Sequence, residues 1–193
     1  MRKSTSLDGK ILIAMPGMSD PRFEHALVFL CAHSEQGAMG LIINKAAPLM
    51  YFSDLVDKLD IATDPRSIPE DVMRKPVLYG GPVEQFRGFV LHSTDYFSAE
   101  ASLPISPEVA LTATVDVLRA IARGKGPERA LLALGYSGWG PGQLEDEIQH
   151  NGWLHCEADE GLLFDSNIDG KYTRALAKIG VDPSMLSGDV GHG

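Results

Sequence analysis

Residues 26–44 read ALVFLCAHSEQGAMGLIIN. The run Ala26 to Ala32 is almost wholly apolar and rich in Val, Leu and Phe, the composition of a strand covered on both faces. Ser34 to Gly37 supplies a turn and Met39 to Asn44 a second apolar run, so the stretch predicts a β-hairpin at the heart of the core. Upstream, Lys10 to Met15 reads as a short strand ended by Pro16 and Gly17, and Asp20-Pro21 opens a helical turn over Arg22 to Glu24. Downstream, Val77 to Tyr79 and Gly88 to His92 read as strands joined through Gly80, Gly81 and Pro82, where Gly and Pro force a bend. Ala130 to Gly135, Trp153 to Cys156 and Gly161 to Phe164 complete the predicted strands.

Helical signals lie between these runs. Ser53 is a good N-cap before Leu55, Val56 and Leu59, which fall on one helix face. The clearest prediction is a helix over Pro107 to Arg123: Ser106 can cap it, Leu111, Val115, Leu118 and Ala122 form its stripe, and Gly124 ends it. An acidic helix is expected from about Pro141 to His150 and another over Lys171 to Ile179, stopped by Gly180. Asp60 to Lys75, with Pro65 and Pro69, reads as a loop and the best candidate for a mobile segment. The tail after Pro183 is expected to be loose. Hairpin-like pairs outnumber crossover units, which predicts an α+β fold, a mixed and largely antiparallel sheet with helices packed on it.

Composition narrows the function classes. The 193 residues suit one domain spanning 1–193, with 44% hydrophobic and 22% charged residues, as expected of a packed globular chain. The formal charge is −9, and no cluster of Lys and Arg is visible beyond short pairs such as Arg2 and Lys3, so direct binding to a nucleic-acid backbone is disfavoured. The apolar stretch Ile11 to Met15 is too short for a signal-peptide core, and no run approaches the ~20 apolar residues of a membrane helix. Two distant cysteines, Cys31 and Cys156, do not suggest a disulfide framework. The expectation is a cytoplasmic protein away from membranes.

Special residues are densest in GYSGWGPGQLEDEI, Gly135 to Ile148. Gly135, Gly138, Gly140 and Gly142 permit positive backbone torsions and close approach, and the stretch leads from a strand to the start of a helix. Free N–H groups there can hold a phosphate or carboxylate, but Glu145, Asp146 and Glu147 already answer the helix dipole. The plainer reading is a tight turn with a self-capped helix, Trp139 packed as its anchor and one glutamate holding backbone donors. Cys31 and His33, two apart on a strand, share a face and form the sharpest enzymatic candidate, a thiol–imidazole pair; the competing reading is a core cysteine beside a rim histidine. Gly80-Gly81 lacks phosphate-loop spacing, and His150, His155 and Cys156 lack metal-ligand spacing, so neither metal nor cofactor is expected. His92 is either a ligand-facing group or a hydrogen-bonded core histidine, and Asn44 either lines a site or ties a loop.

Together these runs resemble the YqgE/AlgH family of uncharacterised bacterial proteins. The resemblance rests on Leu12, Met15, Pro16, Asp20 and Phe23, on the hairpin residues Cys31, His33, Gly37, Gly40 and Asn44, and on Gly80, Gly81, Pro82, Val83, Gly88 and His92. Its most specific stretch is Gly138, Trp139, Gly142, Gln143, Leu144, Glu145 and Glu147, leading to Trp153. It implies a bacterial cytosolic α+β domain whose sheet bends towards a pseudo-barrel. It brings no reaction; one member has been described as a transcriptional regulator, but no helix-turn-helix signal is present here. The leading expectation is a non-enzymatic domain that binds an unknown small molecule or protein partner with a regulatory output. The pocket is expected to join His33, Asn44 and His92 to Gly138, Trp139, Gln143 and Glu145. The alternatives are a thiol-dependent hydrolase or transferase using Cys31 and His33, and a direct DNA-binding regulator.

Overall fold

Strands pair in this chain mainly with neighbours that run the other way. The computed structural model describes residues 6–16 and 18–186; the Arg2–Lys3 pair, Gly17 and the tail from residue 187 lie outside the described residues. The predicted hairpin is β2 (Leu27–Ser34) and β3 (Gly37–Ile42), with β1 (Lys10–Ala14) antiparallel on its outer side. The chain continues through β4 (Ala46–Tyr51), α1 (Phe52–Leu59), α2 (Glu70–Met73), β5 (Pro76–Tyr79), β6 (Val83–Ser93), β7 (Ser102–Pro104), β8 (Val109–Thr112) and α3 (Val115–Ala122). It ends with β9 (Ala130–Trp139), α4 (Gln143–Gln149), β10 (Trp153–Glu157), α5 (Glu160–Leu163) and α6 (Lys171–Lys178). The main strand order is β10-β1-β2-β3-β9-β6-β8-β7, with β5 alone parallel to its neighbour β9 and β4 beside β5. This is the expected α+β class, a curled and largely antiparallel sheet with six α-helices among the described residues.

Alternation along the strands sends side chains to two faces. One face buries Ile11, Ile13, Phe29, Cys31 and Leu41 under α5 and α6. The other carries Leu12, Val28, Leu30 and Ile42 against Trp139, Leu144 and Trp153, while further along the sheet Val90 and Leu132 pack on α1 and α3. Where Gly80-Gly81 crosses β9, a Cβ on Gly81 would stand 2.2 Å from the Tyr136 carbonyl, and one on Gly135 2.4 Å from the Gly81 oxygen. Backbone against backbone is the reason for glycine there, and the Gly80 N–H donates to Leu134.

Several expected elements change. The helix predicted over Pro107 to Arg123 is strand β8 followed by the shorter α3, because the Ser106 hydroxyl accepts from the Glu108 and Val109 N–H groups and closes a hairpin turn. Gly161 to Phe164 is not a strand: the Asp159 carboxylate accepts from the Leu162 N–H and starts α5. Asp60 to Lys75 is not a bare loop, since Asp64 caps a 3₁₀ turn at Pro65–Ser67, α2 follows, and Ile61 and Ile68 are buried. Tyr51 rather than Ser53 stands at the N-cap of α1. Strands β4 and β7 have no clear signal in the sequence; Pro48 interrupts β4, and the positive φ of Leu49 breaks its regular pairing with β5. Pro183–Leu186 forms a 3₁₀ turn.

Candidate functional site

β9 runs further than the sequence indicates, through Gly135 to Trp139, so the first five residues of the glycine-rich stretch are strand. Only Gly135 and Gly142 have positive φ; Gly138 and Gly140 do not. Gly142 (φ 73°) turns the chain into α4, and the Gly140 N–H is taken by the Gln143 side-chain oxygen at 3.0 Å. The turn therefore closes through a glutamine, not through a glutamate binding backbone donors.

Glu147 does something else. Its Oε2 accepts from Trp139 Nε1 at 2.7 Å and from Trp153 Nε1 at 3.0 Å, while Gln143 Nε2 donates to its Oε1 at 3.4 Å. One carboxylate thus holds the two tryptophans, which stand edge to face at 5.9 Å, with the Phe23 ring 5.7 Å from Trp153. Buried indole N–H groups require such a partner. Around this cluster lies a cleft of about 260 Å³ whose rim carries Asp20, Arg22, Gln143 and Glu147. Asp20 and Arg22 form a two-point ion pair, with Nη2 to Oδ2 at 2.7 Å and Nε to Oδ1 at 3.0 Å.

On the other side of Gly138 and Trp139 is a broader groove of about 760 Å³, lined by Asp8, His33, Ser34, Arg87 and Tyr136 among others. Val83, Gly138 and Trp139 are common to both clefts. His33, its side chain only 4% exposed, is held at both nitrogens: Nδ1 accepts the Leu7 N–H at 3.0 Å, which leaves the proton on Nε2 to donate to Glu145 Oε1 at 2.5 Å. That bond, helped by the backbone N–H of Glu145 itself, holds the Glu145 carboxyl below its usual range. Arg87 lies over the Phe89 ring at 5.2 Å and reaches Glu84 at 3.4 Å.

The structure separates Cys31 from His33. The β2–β3 register slips by one residue between Leu30 and Ala32, so Cys31 is a bulge without a partner and the alternation of faces breaks there. Cys31 packs with Ile11 and Phe29, its thiol on the Phe29 carbonyl, and burial pushes that thiol far above its ordinary range. With both imidazole nitrogens engaged elsewhere, no thiol–imidazole bond exists.

His33, Gly138 and Trp139 line one groove, Gln143 stands in the neighbouring cleft, and Glu145 joins through His33. Asn44 and His92 do not join them. Asn44 is at the other end of the β2–β3 hairpin, where its side chain accepts from the Leu27 N–H and donates to the His25 carbonyl. His92 pairs with Ala130, at the far end of β9 from Trp139, roughly 30 Å away at the rise of a strand. It is fully buried in a directed chain: Ser98 N–H to Ser102, Ser102 to Thr112, Thr112 to His92 Nε2, and His92 Nδ1 to the Ser93 carbonyl. Burial lowers its pKa, as suits a neutral core imidazole. Phe23, Arg22, Arg87 and Tyr136 are site residues that local sequence did not reveal. The two tryptophans flanking one helix, each ending or opening a strand, were the available signal for the Glu147 bridge.

A family model described as AlgH-like matches residues 11–184. The chain belongs to the AlgH-like family. Among its AlgH-like relatives are proteins designated UPF0301 from Nitrobacter hamburgensis, 57% identical over 96% of this chain and 87% of the relative, and from Rhodopseudomonas palustris, 56% identical over 96% and 88%. The solution structure of the AlgH protein from Pseudomonas aeruginosa matches with a TM-score of 0.79 and 40% identity, covering 100% of this chain and 99% of that one. A crystal structure from Corynebacterium diphtheriae, 17% identical over 86% and 85% with a TM-score of 0.65, shares the AlgH-like fold. No helix among the described residues is long and apolar enough to cross a membrane.

Proposed function

We propose that this AlgH-like protein is a non-enzymatic cytoplasmic binding domain that recognises a small ligand or a protein segment at the paired clefts beside Trp139, with a regulatory output. The observation that carries this reading is the wall of Val83, Gly138 and Trp139 between two clefts, with Glu147 fixing Trp139 from one cleft and His33, held by Glu145, lining the other. Apolar ring surface with a rim of oriented polar groups is the make-up of a recognition site. Catalysis by Cys31 would need a nearby base, and His33 is committed to Leu7 and Glu145. The acidic balance and two buried free cysteines suit a reducing compartment and a partner other than nucleic acid.

Trp139 and Trp153 are the chain's two tryptophans, so its indole emission reports on this site alone. The test is a thermal-shift and emission screen against nucleotides, acyl thioesters and common metabolites, repeated with Gln143→Ala. A ligand at ~100 times its Kd adds about 2.7 kcal/mol, a Tm rise of roughly 5–10 °C for a chain of this size. The expected hit moves the emission and weakens in the variant. Hits that raise Tm while leaving the emission unchanged would place the site elsewhere; a flat screen directs the search to protein partners, mapped by protection of Trp139 from oxidation.

A further inference from the structure

Gly88 is the only described glycine outside the left-handed region whose absent side chain faces open space: a Cβ built there meets nothing within 4 Å. Glycine inside a strand weakens it; Gly88 stands where the β6–β9 pairing resumes after its irregular stretch, and its φ is not positive. Gly88, itself exposed, lines the edge of a partly open cavity of about 420 Å³ between the sheet and two helices. Gly88 pairs with Leu134 and Val90 with Leu132, so these four share the sheet face that forms the floor, and Leu55 of α1 and Leu118 of α3 form the walls. The volume falls in the range of small-molecule sites and corresponds to about fourteen water-sized groups at the ~30 Å³ each occupies in a liquid.

The lining is apolar but for a few polar side chains, and its one charged residue is Lys58, exposed on α1 and in no salt bridge among the described residues. A lone cation at an apolar mouth, in a chain of net charge −9, is complementary to a single anionic end on an apolar body. Phe86, 99% exposed on the stretch of β6 that departs from regular pairing between Val83 and Gly88, stands at the same mouth.

We propose that this cavity binds a free carboxylic acid with a medium-length alkyl chain, the tail lying over Gly88 and the carboxylate on Lys58 Nζ. The cavity shares no lining residue with the smaller Trp139 cleft and only Phe89 with the broader groove, so this assignment does not rest on the function proposed above.

The test is calorimetric titration of the full chain with decanoate, using wild type, Lys58→Glu and Gly88→Val, with decyltrimethylammonium as the charge-reversed probe. Saturable one-to-one binding of decanoate, weakened about tenfold or more by K58E, abolished by G88V at an undiminished Tm, and absent for the cationic probe, is the expected result. Should G88V not fold, K58E, a surface change, still decides. The assignment is overturned if decanoate does not bind saturably, if both variants bind it as wild type does, or if the cationic probe binds equally well. It is also overturned if only phosphatidylglycerol vesicles bind, or if wild type sediments as a dimer that Phe86→Ser converts to monomer, since a membrane or a second copy would then be the occupant.

Discussion

Three single residues carry more of this molecule than their neighbours do. Glu147 accepts from two indoles that have no other hydrogen-bond partner among the described residues. Glu147→Ala is expected to cost about 2–4 kcal/mol in urea unfolding, because it strands buried donors, and Glu147→Gln less, since the amide oxygen still accepts one bond. Lys171 is fully buried, its ammonium donating to the Ile43 and Leu163 carbonyls, and burial lowers its pKa to about 8. Between about pH 8 and the ordinary 10.5 the unfolded chain holds a proton that the folded chain has lost, so stability rises with pH through that window and the penalty is in full force below it. The buried thiols Cys31 and Cys156 and the Tyr172 hydroxyl, all pushed upward by burial, oppose this trend at high pH. The difference between wild type and Lys171→Met cancels them: it should shift in favour of wild type by up to about 1.4 kcal/mol per pH unit across the window. A flat difference would mean that Lys171 titrates normally. Gly88 carries its effect through what it lacks. Of the three, only Glu147 stands out in sequence, since a buried lysine reads as a helix surface residue and an empty space reads as nothing.

At the scale of elements, legibility followed the reach of the forces. The β2–β3 hairpin, β1, β5, β9, α4 and α6 could be read because local apolar pattern and turn residues agree with the final packing. The stretch from Ser106 to Ala122 could not, since a serine hydroxyl that caps a helix closes a β-turn equally well, and β8 exists only because β6 and β7 flank it. The supposed thiol–imidazole pair failed for a related reason: a one-residue bulge inverts the faces of a strand, and periodicity assumes none. Joining Asn44 and His92 to the Trp139 site likewise required knowing which strand ends meet. The crossing of Gly80-Gly81 over β9 leaves no room for a methyl group. Gly135→Ala, with φ at 76° and a carbonyl 2.4 Å from the new Cβ, is expected to cost about 2–4 kcal/mol or more; Gly138→Ala, with ordinary contacts and no positive φ, should fall within about 1 kcal/mol. Paired urea denaturation curves check this contrast, and equal costs would refute it.

For the molecule as a whole, the acidic surface and curled sheet set bulk behaviour. Retention on duplex DNA should be absent even at low salt; salt-dependent retention would restore the direct DNA-binding reading. The sheet also imposes an order in time. β1 receives β2 early, but its other edge is closed by β10, with Lys10 opposite Glu157 and their side chains paired across 147 positions of sequence. At about 5–20 residues per second on the ribosome, that edge waits roughly 7–30 s for its partner. Through that interval the nascent chain presents Ile11 and Ile13 on an open strand, the geometry that recruits stray strands. Vectorial synthesis thus leaves one edge of β1 unpaired until nearly the last described strand has emerged.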